Sequence, residues 1–321
     1  MKVTKQMVNE GLRPAYGALK LLASLLSRKW GMRLFSYVEK LAKGTKLKGF
    51  QSEERFIPST HGGPDIRLRI FKPLNAPEKL PAMIYYHGGG YAIGSPDTYL
   101  PSIKGFLKAR PCVVIATDYR KSLDNPFPAG FNDCYDTLLW AKENAAELGI
   151  YDTNFIVGGH SAGGGLTAAV TLKARDEKSV KIAFQMPIYP MIDDRQNLES
   201  AVEMEDVPLW NAKTNANGWN LYLKDLKANN QAIPPYAAPA RNTDYSNFPP
   251  TITFVGELEP FKDETIQYVE ALKKEGIPVK FKLFEKCYHG FDLIVPKSKI
   301  SKTALEYTYN SFGEFYDTYV R

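Results

Sequence analysis

Short apolar segments alternate with helix-like segments from about residue 50 to the end of the chain. Residues 81–86 (PAMIYY) and 112–117 (CVVIAT) are continuous apolar runs, a pattern typical of parallel strands that are buried on both faces. The remaining expected elements are strands at 66–71, 155–157, 181–188, 251–255 and 279–284, and helices at 131–148, 162–175 and 300–319. This alternation predicts an α/β fold in which helices cover both faces of a mostly parallel sheet.

Two segments, 1–48 and about 196–235, do not follow this alternation. The second contains Trp210, Trp219 and Tyr222 between two expected strands, so it is a candidate lid beside the sheet. A chain of 321 residues is long enough for one large α/β domain with such an addition. We therefore expect residues 49–195 and 236–321 to form the core, with the two irregular segments packed together beside it.

The positive charge of the chain is concentrated near its N-terminus. The whole chain carries +6, whereas residues 1–48 alone carry +9 and the remainder carries −3. Because the body of the protein is mildly acidic, nucleic-acid binding is only weakly supported. The apolar side chains of the basic segment recur at helical spacing: Leu12, Tyr16, Leu19, Leu22 and Leu26. We expect this helix to pack on the body of the chain, and the alternative is a surface that contacts lipid or an anionic substrate.

The chain shows no pattern of a signal peptide or a membrane span. Its most apolar N-terminal stretch, 18–26, is interrupted by Lys20 and is not followed by a small-residue cleavage site. No run approaches the roughly 18 apolar residues of a spanning helix. The three cysteines, Cys112, Cys134 and Cys287, are too few and too scattered for a disulfide framework or a zinc site. These features predict a cytoplasmic protein in a reducing compartment.

The pentapeptide Gly-His-Ser-Ala-Gly at 159–163 lies between an expected strand and an expected helix. This is the G-x-S-x-G pattern in the strand–turn–helix context that its chemistry requires. Small flanking residues allow a tight turn that holds Ser161 in a strained conformation with its Oγ exposed. The helix that begins at Ala162 directs its N-terminal N–H groups at a developing oxyanion. Ser161 is therefore the candidate nucleophile.

A run of glycines follows the apolar strand at 81–86. His87 is followed by Gly88, Gly89 and Gly90, whose backbone N–H groups are not shielded by side chains, as an oxyanion hole requires. The alternative is a phosphate-binding loop. The glycine spacing is not G-x-G-x-x-G, and no Gly-Lys-Ser/Thr follows. We therefore predict that these three glycines form an oxyanion hole.

A serine nucleophile requires a histidine, and the chain contains four. His61 lies in a Gly-Pro-containing segment between two early strands, which is typical of a hairpin turn. His87 opens the glycine run and is expected to brace that loop. His160 adjoins the nucleophile on a sharp turn, where neighbouring side chains point apart. His289 follows the strand at 279–284, where the chain order serine, acid, histidine places the base.

The acid of a triad is expected after the strand at 251–255, and several carboxylates follow that strand. Asp263 and Glu264 open the next expected helix, where negative charge favours the helix dipole. Glu257 and Glu259 both remain candidates from position alone.

Over about residues 80–295 the chain resembles the bacterial hormone-sensitive-lipase-like carboxylesterases of the α/β-hydrolase superfamily. The resemblance depends on the following motifs: His87–Gly90, Asp118-Tyr119-Arg120, Pro126–Ala129, the Ser161 pentapeptide, Tyr236–Pro239, Glu259–Asp263 and His289-Gly290-Phe291. It implies an eight-stranded, mostly parallel sheet with a helical cap formed by 1–48 and 196–235.

The same resemblance implies a role for individual residues. Glu259 stands where the family has the acid of its triad, and Gly89, Gly90 and Ala162 stand where the family has its oxyanion donors. Asp118 and Arg120 would brace the loop behind the glycine run.

The chain departs from the family pattern at two positions. His160 replaces the usual Asp before the nucleophile, and Glu259 replaces an Asp, although a carboxylate of either length can orient an imidazole. The His-Ser-Ala-Gly variant is also found in kynurenine-formamidase-like hydrolases, so an amidase or formamidase is one alternative. A lipase that acts at membrane surfaces through the basic segment is another.

Together with this resemblance, the sequence predicts a serine carboxylesterase with Ser161 and His289 in its triad. The resemblance implies Glu259 as the acid of that triad and a preference for short-chain acyl esters. No metal or organic cofactor is required by this chemistry. The expected partner is a small-molecule ester, no nucleic acid is expected, and a homo-oligomer is left open. A catalytically inactive hydrolase fold would typically lack the nucleophile or the base, and both are present.

Overall fold

An eight-stranded sheet forms the centre of the protein in the computed structural model, which describes residues 2–320. The strands are β1 (Phe50–Ile57), β2 (Ile66–Pro73), β3 (Ala82–Tyr86), β4 (Val113–Asp118), β5 (Phe155–His160), β6 (Ile182–Ile188), β7 (Thr251–Leu258) and β8 (Val279–Tyr288). Their spatial order is β1-β2-β4-β3-β5-β6-β7-β8. Strand β2 is antiparallel to both of its neighbours, and the other neighbouring pairs are parallel. The prediction of an eight-stranded, mostly parallel α/β sheet is confirmed.

Helices connect and cover the strands. They are α1 (Tyr16–Leu26), α2 (Lys29–Glu39), α3 (Leu100–Ala109), α4 (Ala129–Glu143), α5 (Ala145–Leu148), α6 (Ala162–Glu177), α7 (Glu199–Glu203), α8 (Ala212–Tyr222), α9 (Lys224–Ala228), α10 (Lys262–Lys274), α11 (Phe291–Ile294) and α12 (Lys299–Tyr319). Short 3₁₀ helices are formed by Glu10–Ala15, Lys40–Ala42, Pro96–Tyr99 and Pro239–Arg241. Within the described part of the chain, no helix combines the length and the apolar character needed to cross a bilayer.

The apolar runs of the sequence form the middle of the sheet. Every residue of β3 and β5 is buried, as expected for parallel strands covered on both faces. Strand β1 was implied only by the hairpin turn expected at His61, and its bounds were not predicted from the sequence. It is an edge strand with mostly exposed or half-buried side chains, so its sequence carries no apolar run.

The topology brings the candidate residues to one edge of the sheet. His87 directly follows β3, Ser161 follows β5, Glu259 follows β7 and His289 follows β8. These strands run parallel in one sheet, so their carboxyl ends lie on the same side. Crevices outside this edge are where open α/β sheets bind ligands.

The two irregular segments, 1–48 and 196–235, contact each other. Leu209 N donates a hydrogen bond to Leu19 O at 3.1 Å, and Thr214 Oγ1 donates to Ala23 O at 3.2 Å. Their separation from the core as a cap stays a prediction.

Candidate active site

The turn between β5 and α6 holds Ser161 in an unusual backbone conformation. Its φ of +58° and ψ of −119° lie in a region that L-residues rarely adopt. The turn is fixed because Ser161 N donates to Ile188 O at 2.9 Å and Gly165 N donates to Ser161 O at 2.9 Å. A side chain at Gly163 would collide with Tyr86 O on β3, so the tight approach of helix to strand requires glycine here. The conformation directs Ser161 Oγ outward from the strand end.

His289 joins this hydroxyl to a carboxylate. Its Nε2 lies 2.8 Å from Ser161 Oγ, and its Nδ1 is hydrogen bonded to Glu259 Oε2. The imidazole ring is packed edge-on against Tyr189 and Phe261, with ring centroids 4.8 and 5.0 Å away. All three polar side chains are buried. The arrangement can move a proton from the hydroxyl to Nε2 while the carboxylate stabilises the resulting imidazolium.

The structure distinguishes the two acids that sequence position left open. Glu259 reaches His289, and its second oxygen, Oε1, accepts a hydrogen bond from Gly256 N at 2.7 Å. Glu257 instead accepts a hydrogen bond from Lys286 N at 2.8 Å, at the surface. These two residues are neighbours on the same strand end, and only one of them faces the histidine.

The other two acids of this segment begin α10, as expected. Asp263 accepts a hydrogen bond from Ser200 N at 2.7 Å, and Glu264 accepts one from Ile192 N at 2.7 Å. Burial raises the pKa of Glu264 well above its ordinary value. Both side chains tie the start of α10 to the segment after β6, away from the imidazole.

The glycine run lines the same cavity as the hydroxyl and the imidazole. Gly88, Gly89 and Gly90 all contribute to its wall. Gly90 has a φ of +57°, and a Cβ there would collide with the Trp210 ring. Among residues 2–320 the structure gives no acceptor for the N–H groups of Gly89, Gly90 and Ala162. Unpaired backbone donors are unusual in a protein interior, and they are available to a negatively charged oxygen.

One further contact to the glycine run, made by Tyr119, was not identified from the sequence. Tyr119 OH donates to His87 O at 2.9 Å, and the two rings stack with centroids 4.2 Å apart. Asp118 and Arg120 face other partners: Asp118 pairs with Arg67, and Arg120 pairs with Asp133. Tyr119 stands between them in the sequence, so the side chain that contacts the glycine run belongs to the same motif, and the bracing role of Asp118 and Arg120 stays a prediction.

The other three histidines take no part in the hydrogen bond between Ser161 and His289. His61 is exposed in the turn between β1 and β2, as expected. His87 is buried, and its Nδ1 lies 2.7 Å from Gly88 O. His160 Nδ1 lies 2.8 Å from Tyr85 OH on β3, so its side chain points away from that of Ser161. Burial lowers the pKa of His160 to about 3, with His289 adding to the effect, so its ring is neutral.

A cavity of about 430 Å³ opens above the hydroxyl. Segment 1–48 contributes Leu22, Leu26 and Phe35 to its wall, and segment 196–235 contributes Leu209 and Trp210. The wall is mostly apolar and aromatic, with a few convergent polar groups, as small-molecule sites commonly are.

Two carboxylates in this wall were not found by sequence reasoning. Glu39 Oε2 accepts a hydrogen bond from Gly94 N at 2.6 Å, and Asp292 Oδ1 accepts one from Tyr189 OH at 3.0 Å. Burial raises the pKa of each side chain to about 7. No Lys or Arg lines the described cavity, so neither carboxylate forms an ion pair with such a side chain in its wall. The position of Asp292, three residues after His289, could have indicated that it lies near the cavity. No local pattern indicates Glu39, which reaches the cavity only through the packing of α2.

We expect Asp292→Asn to change how stability depends on pH. The pKa of Asp292 is raised in the folded protein, so the folded state holds its proton more tightly than the unfolded chain does. The resulting contribution to stability is present at low pH and is lost as pH rises from about 4 towards 7. Between pH 5 and pH 8 the unfolding free energy of the wild type should therefore fall by about 2–3 kcal/mol more than that of the variant.

Urea unfolding of both proteins at pH 5 and pH 8 measures this difference. Other titrating groups contribute equally to both proteins and cancel. Asp152→Asn, at an exposed carboxylate, is the control and should show no such difference between the two pH values. A stability difference between Asp292→Asn and wild type that is the same at both pH values would contradict the expectation.

Residues 2–320 contain no group of three or more His, Cys, Asp or Glu side chains arranged to hold a metal ion. The polar groups of the cavity include the Ser161 hydroxyl, the imidazole, backbone donors and the two carboxylates, together with side-chain hydroxyls of Thr98, Tyr99, Ser102, Tyr189 and Tyr309. Their geometry suits acyl transfer to a serine.

Comparisons with known proteins agree with this geometry. A family model described as the alpha/beta hydrolase fold matches residues 83–293. The carboxylesterase NlhH of Mycobacterium tuberculosis is 32% identical over 253 residues, which cover 78% of this chain and 79% of NlhH. The esterase LipI of the same species is 30% identical over 243 residues, covering 74% of this chain and 75% of LipI.

Solved structures extend the similarity over nearly the whole chain. The structure of a bacterial heroin esterase matches with a TM-score of 0.87 and 29% sequence identity, covering 98% of this chain and 99% of that one. The chain therefore belongs to the α/β-hydrolase-fold family, as a carboxylic ester hydrolase of its hormone-sensitive-lipase-like group.

Proposed function

We propose that this protein is a serine carboxylesterase that hydrolyses short-chain acyl esters through a triad of Ser161, His289 and Glu259. The observation that carries the proposal is the 2.8 Å contact between Ser161 Oγ and His289 Nε2, with Glu259 bound to the other ring nitrogen. A nucleophile, a base and an orienting acid in hydrogen-bond contact are what acyl transfer to serine requires.

The first half of the reaction forms an acyl-enzyme. Ser161 Oγ attacks the ester carbonyl carbon while His289 Nε2 accepts the hydroxyl proton. Glu259 holds His289 in the tautomer that carries a proton on Nδ1, and it stabilises the imidazolium. His289 then gives its proton to the leaving alkoxide, so that an alcohol departs and the acyl group stays on Oγ.

The negative charge that develops on the carbonyl oxygen needs hydrogen-bond donors. The N–H groups of Gly89, Gly90 and Ala162 are assigned to this role, with Gly88 beside them in the cavity wall. Their lack of a protein acceptor supports the assignment, because donors that are already aligned require no reorganisation when the charge appears.

The second half of the reaction removes the acyl group. A water molecule attacks the acyl carbon as His289 accepts one of its protons, and the same donors hold the new oxyanion. Collapse of this intermediate returns the proton to Ser161 Oγ and releases the carboxylic acid.

The size of the cavity supports a short acyl chain. Its volume of about 430 Å³ is near the lower end of the roughly 300–1,000 Å³ range of ligand pockets, and it must hold both the acyl and the alcohol part of the ester. Side chains from segments 1–48 and 196–235 close it from above, so a longer chain has to displace Leu22, Phe35 or Trp210.

A series of p-nitrophenyl esters from acetate to palmitate tests this proposal. We expect kcat/KM to be highest for acyl chains of two to six carbons and to fall by about tenfold or more for palmitate, because the longer chain does not fit. Ser161→Ala is the blank for non-enzymatic hydrolysis.

Two other outcomes would redirect the assignment. Activity that rises steadily towards palmitate would favour a lipase. Turnover of N-formyl or anilide substrates above that of every ester would favour an amidase or formamidase.

A further inference from the structure

Half of the exposed large apolar side chains lie on the N-terminal helices and the turn that follows α2. Of the twelve that the described part of the chain exposes, six lie between residues 21 and 41. These six are Leu21, Trp30, Leu34, Tyr37, Val38 and Leu41, and each is more than half exposed. Single exposed apolar residues need no explanation, whereas a concentrated set marks an interaction surface.

Four of these side chains form one stripe, which we call the α2 face. Trp30, Leu34, Tyr37 and Leu41 are spaced by four, three and four residues, so they project from one side of α2 and of the 3₁₀ turn that continues it. The opposite side of α2 buries Met32 and places Phe35 in the wall of the active-site cavity.

Basic side chains surround the α2 face. Arg28, Lys29 and Lys40 are exposed, and among residues 2–320 none of them has an acidic partner within 4 Å. Lys40 Nζ lies over the Tyr37 ring, 4.7 Å from its centroid. This interleaving of cations with Trp, Tyr and Leu is typical of helices that lie in the interface of an anionic bilayer.

We propose that the α2 face docks on anionic lipid bilayers. Trp and Tyr rings suit the headgroup region, because one end of each ring system is apolar and the other is polar. A second copy of the chain is a poorer occupant, because the unpaired cations around two α2 faces would be brought together. An anionic bilayer instead neutralises these unpaired cations while it covers the stripe.

Docking in this orientation brings the bilayer next to the active site. Helices α1 and α2 supply Leu22, Leu26, Phe35 and Glu39 to the cavity wall on one side and present the α2 face on the other. Esters that partition into lipid would therefore be concentrated beside the cavity. The inference concerns where the enzyme meets its substrate, and it does not depend on the acyl-chain preference proposed above.

Co-sedimentation of the full chain with vesicles tests the proposal. The vesicles are phosphatidylcholine alone or phosphatidylcholine with about 30% phosphatidylglycerol, each at about 0.05 M and 0.5 M NaCl. We expect binding to the anionic vesicles at low salt, and at least about fivefold less binding at high salt or on phosphatidylcholine alone.

Two double variants separate the apolar and the charged contributions. Trp30→Ala with Leu34→Ala should weaken partitioning by about tenfold or more, because two interfacial anchors are lost. Lys29→Glu with Lys40→Glu should abolish it while leaving the stripe intact. The matched control is Phe56→Ala with Leu74→Ala, two side chains that are equally exposed but lie on β1 and directly after β2, outside the α2 face, and it should bind as wild type does.

Several outcomes would overturn the proposal. These are equal binding by the Trp30/Leu34 and Phe56/Leu74 variants, binding that is indifferent to phosphatidylglycerol, and no binding at all. A dimer in light scattering that the Trp30/Leu34 variant converts to a monomer would assign the α2 face to a second copy instead. Turnover of p-nitrophenyl acetate without vesicles is measured in parallel, so a failure of lipid binding is distinct from a failure of the esterase assignment.

Discussion

Ser161→Ala is expected to lower kcat/KM for p-nitrophenyl acetate by about 10⁴–10⁶-fold. The variant removes the Oγ that lies 2.8 Å from His289 Nε2, so no acyl-enzyme can form. The backbone donors and the cavity remain, and they leave a small residual rate over that in water. The backbone conformation at position 161 is held by hydrogen bonds to Ile188 and Gly165, which alanine retains, so the fold should persist.

Initial rates for wild type and variant over a range of substrate concentrations measure this effect. Ser122→Ala is the matched control: it removes another buried serine hydroxyl, one that does not line the cavity. We expect the control to stay within about twofold of wild type, since nothing at the reacting centre changes. If Ser161→Ala kept wild-type activity with an unaltered circular dichroism spectrum, the nucleophile would have to be sought elsewhere.

Glu259→Gln is expected to lower kcat by about 10³–10⁴-fold, with a smaller change in KM. Glutamine can still accept the hydrogen bond from Gly256 N through its carbonyl oxygen. Its amide group faces His289 Nδ1 and donates there, which favours the tautomer with the proton on Nε2. An imidazole in that tautomer cannot accept the proton of Ser161, and the imidazolium loses its counter-charge.

Glu257→Gln is the matched control for this prediction. Both residues are glutamates at the same strand end, but Glu257 contacts Lys286 N at the surface, so kcat should stay within about twofold of wild type. Glu259→Asp should recover part of the lost rate, because a carboxylate is restored but is one methylene shorter than this backbone position requires. Equal losses in Glu259→Gln and Glu257→Gln would contradict the assignment of the acid.

The serine and the histidine of the proposed triad could be found from the sequence because each belongs to a local pattern. Ser161 lies in a pentapeptide between an apolar strand and an Ala-rich helix, and His289 is the one histidine that follows a late strand. The structure brings them together across 128 positions of the chain. Parallel strands end at the same edge of a sheet, so strand order and motif position together imply this contact.

Sequence position alone did not decide which of two glutamates is the acid of the proposed triad. Glu257 and Glu259 end the same strand and differ by two positions, so neither strand periodicity nor motif order separates them. The chain bends after Leu258, and this bend turns Glu259 towards His289 while Glu257 stays at the surface. The family resemblance identified Glu259 by likeness, whereas the contact itself is a property of the packed chain.

The sequence by itself predicted the α/β class, the mostly parallel sheet, and the serine, the histidine and the glycine loop that meet in the cavity. These features are encoded by the spacing of neighbouring residues, because hydrogen-bond geometry and side-chain period act over a few positions. The tertiary structure alone decided that Tyr119 braces the glycine loop and that Glu39 and Asp292 enter the cavity. It also decided that α2 turns an apolar stripe outward. Each depends on how segments distant in the sequence pack, and burial and pairing arise only from that packing.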